Sequence, residues 1–100
     1  MLPMTKHELI GIIASNGEML RRCKVRSVYL FGSFARNEQR EDSDVDLLVD
    51  FEEPTYDNFI SLVYKLEDLL AREVNVIPEG GLSPLIEPYV KKEAEKIEIE

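Results

Sequence analysis

One hundred residues, 44% hydrophobic and 8% aromatic, are enough for a single domain with a packed core and exclude a disordered chain. Twenty Asp and Glu against 12 Lys and Arg leave a net charge of −8, the wrong sign for general nucleic-acid binding, because phosphates need cations to neutralise them. No apolar run approaches the ~18 residues of a membrane span, the opening Met1 to Glu8 turns polar too early for a signal peptide, and one cysteine with one histidine cannot build a disulfide or a Cys/His zinc site. The expectation is a soluble, cytoplasmic chain without membrane or direct nucleic-acid partners. The charge is nevertheless uneven: residues 1–40 sum to +4 and residues 41–100 to −12. A basic patch can therefore face an anion while the rest of the surface repels it.

In chain order, Thr5-Lys6-His7-Glu8 has the form of a capping box, so a helix starts there, with Leu9, Ile10, Ile12 and Ile13 on its apolar side. His7 in that first turn is expected to face solvent. Asn16-Gly17 interrupts the pattern, and a second short helix is predicted from Glu18 to Cys23, with Cys23 a packed thiol at its end. Ser27 to Phe31 is a β-prone run stopped by Gly32. A short helix from Ser33 to Asn37 and a polar surface loop from Glu38 to Ser43 follow. Asp44 to Phe51 reads as a strand, with Val45, Leu47, Val49 and Phe51 on one face and Asp44, Asp46, Leu48 and Asp50 on the other. Phe59, Leu62, Val63, Leu66, Leu69 and Leu70 recur at helical spacing between Asp57 and Ala71. Glu73 to Ile77 is a further strand closed by Pro78, and its distance from Phe51 suits a crossover helix and parallel pairing. Another helix lies between Pro84 and Glu95 with Pro88 in its first turn, and Lys96 to Glu100 reads as an edge strand or tail. The fold class expected is α+β: a small mixed sheet packed with helices, residues 1–100 forming one domain.

The stretch with chemistry in it is Gly32-Ser33, ten residues, then Asp44-Val45-Asp46. A glycine at a strand-to-helix turn lets a ligand approach the backbone. Ser33 adds a hydroxyl, outward-pointing amides follow, and Arg36 adds positive charge, which together suit a phosphate. Asp44 and Asp46 alternate onto one face of a strand, and two such carboxylates repel unless a cation lies between them. A hard divalent ion such as Mg²⁺, held by one or two carboxylates and substrate phosphates, meets that need. Each half alone has a bland reading, as an ordinary turn and a solvated strand start. Asp46 beginning the central run Asp46-Leu47-Leu48-Val49 is harder to dismiss, since an unpaired acid there is costly. The conjunction points to metal-assisted phosphoryl or nucleotidyl transfer.

This arrangement resembles the signature of the DNA polymerase β-like nucleotidyltransferase superfamily. Phe31-Gly32-Ser33-Phe34-Ala35-Arg36, Asp42-Ser43-Asp44-Val45-Asp46-Leu47-Leu48-Val49, and Leu82-Ser83-Pro84 ahead of a helix from Tyr89 to Ala94 resemble the minimal nucleotidyltransferase (MNT) group of bacteria and archaea. The resemblance implies a polymerase β palm-like fold, Gly32 and Ser33 on the triphosphate of a bound nucleotide such as ATP, and Asp44 and Asp46 as ligands of Mg²⁺ and the catalytic residues. It also implies an antitoxin role beside a helical HEPN partner, a tyrosine of which receives AMP. Two departures stand out. Asn75 occupies the place where a third carboxylate is expected, and Asn37 stands where glycine is common. An amide cannot accept the acceptor hydroxyl's proton, and losing a general base costs ~10²–10⁴ in rate. Glu73, two residues away on the same strand face, is a candidate substitute. Two readings therefore stay open: an active adenylyltransferase, or a nucleotide-binding module that neutralises its partner by contact alone. Pairing of two copies through an edge strand carrying Ile97 and Ile99 is a further possibility.

Overall fold

Thr5 stands at the head of the first helix, α1 (Lys6–Ala14), in a computed structural model that describes residues 4–99. Its hydroxyl accepts the Glu8 N–H at 3.0 Å, and Glu8 Oε1 accepts the Thr5 N–H at 3.2 Å, so two otherwise orphaned donors are satisfied reciprocally. Leu9, Ile13 and Ala14 form the buried stripe, and His7 is exposed as expected. Ser15 Oγ and Asn16 Nδ2 donate to the carbonyls of Gly11 and Ile12, both at 2.7 Å, and close the helix. The second helix, α2 (Gly17–Arg22), starts and ends one residue earlier than predicted. Cys23 is its cap, 2% exposed, with its thiol 3.9 Å from Ser61 Oγ.

Four strands form one mixed sheet. β1 (Val25–Phe31) pairs antiparallel with β2 (Val45–Phe51), which lies parallel to β3 (Val74–Pro78); β4 (Glu95–Ile97) pairs antiparallel with the other side of β1. The spatial order is β3-β2-β1-β4, and α3 (Tyr56–Leu70) is the crossover that makes β2 and β3 parallel. β1 starts two residues before the predicted Ser27, because Val25 pairs with Phe51 across an irregularity and buries its side chain, a contact invisible behind the charged Arg26. Alternation then sorts the sheet. Val28, Leu30, Val45, Leu47, Val49, Val76 and Ile97 face the core with Leu62, Leu66 and Leu70 of α3. Asp46, Leu48 and Asp50 belong to the opposite face, with their cross-strand partners Phe31, Tyr29 and Ser27.

The segment from Ser33 to Asn37 is a single turn, not the short helix predicted. Arg36 N–H reaches Gly32 O at 3.2 Å, Asn37 adopts a left-handed φ of 57°, and Glu38 N–H returns to Ser33 O at 2.9 Å. That closure satisfies the carbonyls after one turn, so nothing remains to propagate a helix. Phe34, fully buried, pins the turn to the core.

After β3 the chain passes Gly80, at φ 91°, and enters α4 (Glu87–Glu93) with Pro88 at its N-terminal end. This helix buries no residue, and it connects the two edge strands of the sheet. Tyr29, Leu48, Glu79, Lys91 and Ala94 line a pocket of about 200 Å³ beneath it. Lys91 pairs with Glu87 at 2.8 Å and Glu79 at 3.8 Å, and the hydrogen bond and charge of Glu87, ahead of Glu79, hold it above the ordinary lysine range. β4 starts one residue before the predicted Lys96 and ends at Ile97; Glu100 lies outside the described residues. Ile97 is buried in the core, and Ile99 is partly buried against it. Among the described residues no helix is long and apolar enough to cross a membrane.

Candidate active site

The antiparallel register sets Phe31 opposite Asp46, and so carries the Gly32-Ser33 turn to the start of β2 although the whole 34–43 segment separates them in sequence. Gly32 has a φ of 77°, in the left-handed region, and a Cβ there would overlap Asp46 Oδ2. Glycine is required twice over, by its backbone conformation and by the carboxylate pressed against its Cα. Beyond Gly32, the N–H groups of Ser33, Phe34 and Ala35 and the Ser33 hydroxyl have no protein partner among the described residues. Successive unsatisfied amides on one turn form a concavity suited to an anion.

Asp44 lies just before β2, exposed and without a protein partner, and Asp46 is half-buried on the strand. Being two residues apart they share a face. The parallel register sets Asn75 opposite Asp46, and Asn75 Nδ2 donates to Asp46 Oδ1 at 2.9 Å. Glu73 precedes β3; its carbonyl accepts the Val45 N–H at 3.0 Å, while its side chain is exposed and unpartnered. Of the two candidates for the third position, Asn75 is the one brought against Asp46. The donor set here is all oxygen and mostly carboxylate, which fits a hard divalent cation such as Mg²⁺. Among the described residues no third His, Cys, Asp or Glu completes the cluster, so two carboxylates would share the ion with a ligand's own oxygens.

Arg36 does not project freely into this space. Its Nη1 lies 3.2 Å from both oxygens of Glu93 on α4, and its Nε lies 3.3 Å from Glu38 Oε1. Glu93 Oε1 also accepts the Gly32 N–H at 3.0 Å. Arg72, like Glu93, carries no motif in the sequence. Its guanidinium stacks over the Phe34 ring, 5.3 Å from the centroid, and Nη1 donates to Ser43 O at 3.2 Å. It thus braces the residue before Asp44 against the residue after Ser33. Nothing in sequence marks Glu93 among the other acids of an exposed helix; Arg72, as a basic residue between a long helix and an acidic strand start, was the more findable of the two.

Beside Asp46 and Asn75 an open groove of about 570 Å³ runs along the free edge of β3, walled by Phe31, Phe59, Ile60 and Val63. It opens onto Asp46 and Asn75.

Known proteins resemble this chain in sequence and in fold. Residues 12–97 match the model of the nucleotidyltransferase domain. The chain is 41% identical over 95 residues to protein adenylyltransferase MntA of Thermococcus cleftensis, spanning 93% of this chain and 96% of that one. It superposes on a solved structure assigned provisionally as a minimal nucleotidyltransferase with a TM-score of 0.74 at 36% identity, covering 92% of this chain and 95% of the other. At the level of fold alone, with 20% identity and a TM-score of 0.66, it also resembles a chain in the complex of tri-AMPylated Shewanella oneidensis HEPN toxin with MNT antitoxin, covering 93% of this chain and 71% of that one.

Proposed function

The chain belongs to the nucleotidyltransferase domain family as a minimal member, and from that premise we propose that it moves AMP from ATP, with Mg²⁺, onto a tyrosine hydroxyl of a helical HEPN-type partner and so acts as an antitoxin. The observation that carries this reading is the juxtaposition of two complementary half-sites: unpartnered amides and a hydroxyl at Ser33 to Ala35, and carboxylates at Asp44 and Asp46. The relative named as a protein adenylyltransferase supports AMP as the group transferred, and the fold shared with a chain of a HEPN–MNT complex supports the partner.

In this reading the Ser33 hydroxyl and the amides from Ser33 to Ala35 hold the β- and γ-phosphates, and Gly32 lets them come close to the backbone. Asp44 and Asp46 would hold Mg²⁺, which when bound neutralises phosphate charge and polarises the α-phosphoryl group. The acceptor oxygen forms a bond to the α-phosphorus, the bond to the pyrophosphate oxygen breaks, and pyrophosphate departs with the charge. The hydroxyl's proton has no carboxylate waiting at Asn75, whose amide is already committed as a donor to Asp46. Glu73 or a group on the partner takes it, or solvent does, at reduced rate. The groove along β3 is the side from which the acceptor reaches Asp46, and its apolar walls suit an aromatic side chain.

A second reading is favoured by one specific observation, the Asn75–Asp46 hydrogen bond. In it the chain binds nucleotide, transfers slowly or not at all, and neutralises its partner by contact. Incubation with labelled ATP, Mg²⁺ and the product of the adjacent gene separates the two. Label on a partner tyrosine is expected; ATP binding without label leaves the binding module, and absence of ATP binding refutes both.

A further inference from the structure

α4 is short, exposed and buries no side chain, yet its last residue makes the most connected polar contact near the Gly32-Ser33 turn. Glu93 Oε1 takes the Gly32 N–H at 3.0 Å, and both its oxygens lie 3.2 Å from Arg36 Nη1. Gly32 and Arg36 are also joined through the backbone, since Arg36 N–H donates to Gly32 O. One carboxylate thus clamps both ends of the single turn that carries Ser33. A carboxylate on an amide and a guanidinium is itself an anion in an anion site, so it could act as a plug or as a brace. The pattern of vacant donors decides between them. Glu93 takes the Gly32 amide and leaves those of Ser33, Phe34 and Ala35, with the Ser33 hydroxyl, free of protein partners. A plug would have taken the free ones.

We propose that Glu93 is a positioning residue for nucleotide binding: it fixes Gly32 in its left-handed conformation, holds Arg36 at the rim of the turn, and thereby sets the free amides for the triphosphate. This rests on the nucleotide reading of the site and adds a residue to it. Arg36, its charge shared with Glu93 and Glu38, then acts through the shape of the turn and not as a free phosphate ligand.

The test uses the full chain, titrated calorimetrically with a non-hydrolysable ATP analogue and Mg²⁺, for the unaltered protein, Glu93→Gln and Glu93→Ala. A hydrogen bond to a charged group of this kind predicts that Glu93→Ala weakens binding by about tenfold, while Glu93→Gln, keeping an oxygen for the Gly32 N–H, stays within about threefold. In a double-mutant cycle Arg36→Ala should cost less in the Glu93→Ala background than alone, as expected for two residues acting as one clamp. Glu93→Ala binding as tightly as the unaltered protein, or more tightly, overturns the proposal, the latter showing a plug. Should Glu93→Ala fail to fold, the Gly32 amide proton resonance decides: Glu93→Gln must shift it upfield, and an unmoved resonance overturns the clamp. If the unaltered chain binds no nucleotide, the nucleotide reading falls and this proposal with it, an outcome distinct from a failure confined to the variants.

Discussion

Asn75→Asp puts a carboxylate where an amide now donates to Asp46 Oδ1 across 2.9 Å. The substitution removes that bond and sets two negative charges at the same separation, where Coulomb repulsion is ~1.4 kcal/mol in fully aqueous screening and about 6 kcal/mol at the effective dielectric of a protein surface site. Asn75 is exposed and Asp46 half-buried, so the lower end applies. With the lost hydrogen bond, a destabilisation of about 2 kcal/mol is expected in metal-free buffer, which for a domain of this size lowers the melting temperature by roughly 8–16 °C. Mg²⁺ should reverse the sign, because two carboxylates would hold a hard cation better than a carboxylate beside an amide. The assay is thermal unfolding of both proteins in chelator and in millimolar Mg²⁺, followed by AMP transfer to the partner, which should rise by ~10²–10⁴ if the missing group is a general base. A variant as stable as the unaltered chain in chelator, with no added response to Mg²⁺, would refute the proposal that Asn75 stands beside a metal held by Asp46. A variant that behaves as expected in unfolding but gains nothing in transfer would show that Glu73 or the partner already supplies the base.

Three further outcomes follow from individual contacts. Gly32→Ala combines a left-handed φ with a Cβ driven into Asp46; denaturant unfolding should show a loss of about 1–3 kcal/mol, and nucleotide binding should be lost with it. Asp44→Ala with Asp46→Ala should abolish Mg²⁺-dependent nucleotide binding in calorimetry while the chain stays folded; unchanged binding would contradict the metal assignment. Leu62→Ala, at a fully buried position of α3, should cost about 2–5 kcal/mol by denaturant titration, whereas Tyr64→Ala, on the same helix but 66% exposed, should stay within about 0.5 kcal/mol.

Much of the fold was legible because its signals are local. The Thr5–Glu8 box, the leucine spacing of α3 and the alternation in β2 each depend on residues within one or two turns of one another. Expectation and structure part company where a distant residue intervenes. The turn at Ser33 is arrested by Asn37 and anchored by Phe34, and β1 is lengthened by Val25 meeting Phe51. Ile97 joins the core only because β4 pairs with β1 along the far side of the sheet.

The sequence by itself determined the α+β class, the Gly32-Ser33 turn, the Asp44/Asp46 pair and the anomaly at Asn75, because alternation along a strand and the chemistry of residue types need no partner to be read. Only tertiary structure decided how these parts meet. The antiparallel register set Asp46 against Gly32, and the parallel one set Asn75, not Glu73, against Asp46. The docking of α4 placed Glu93 on both the Gly32 amide and the Arg36 guanidinium. Registers and helix docking are fixed by burial summed over the whole core, a quantity that no short stretch of sequence contains.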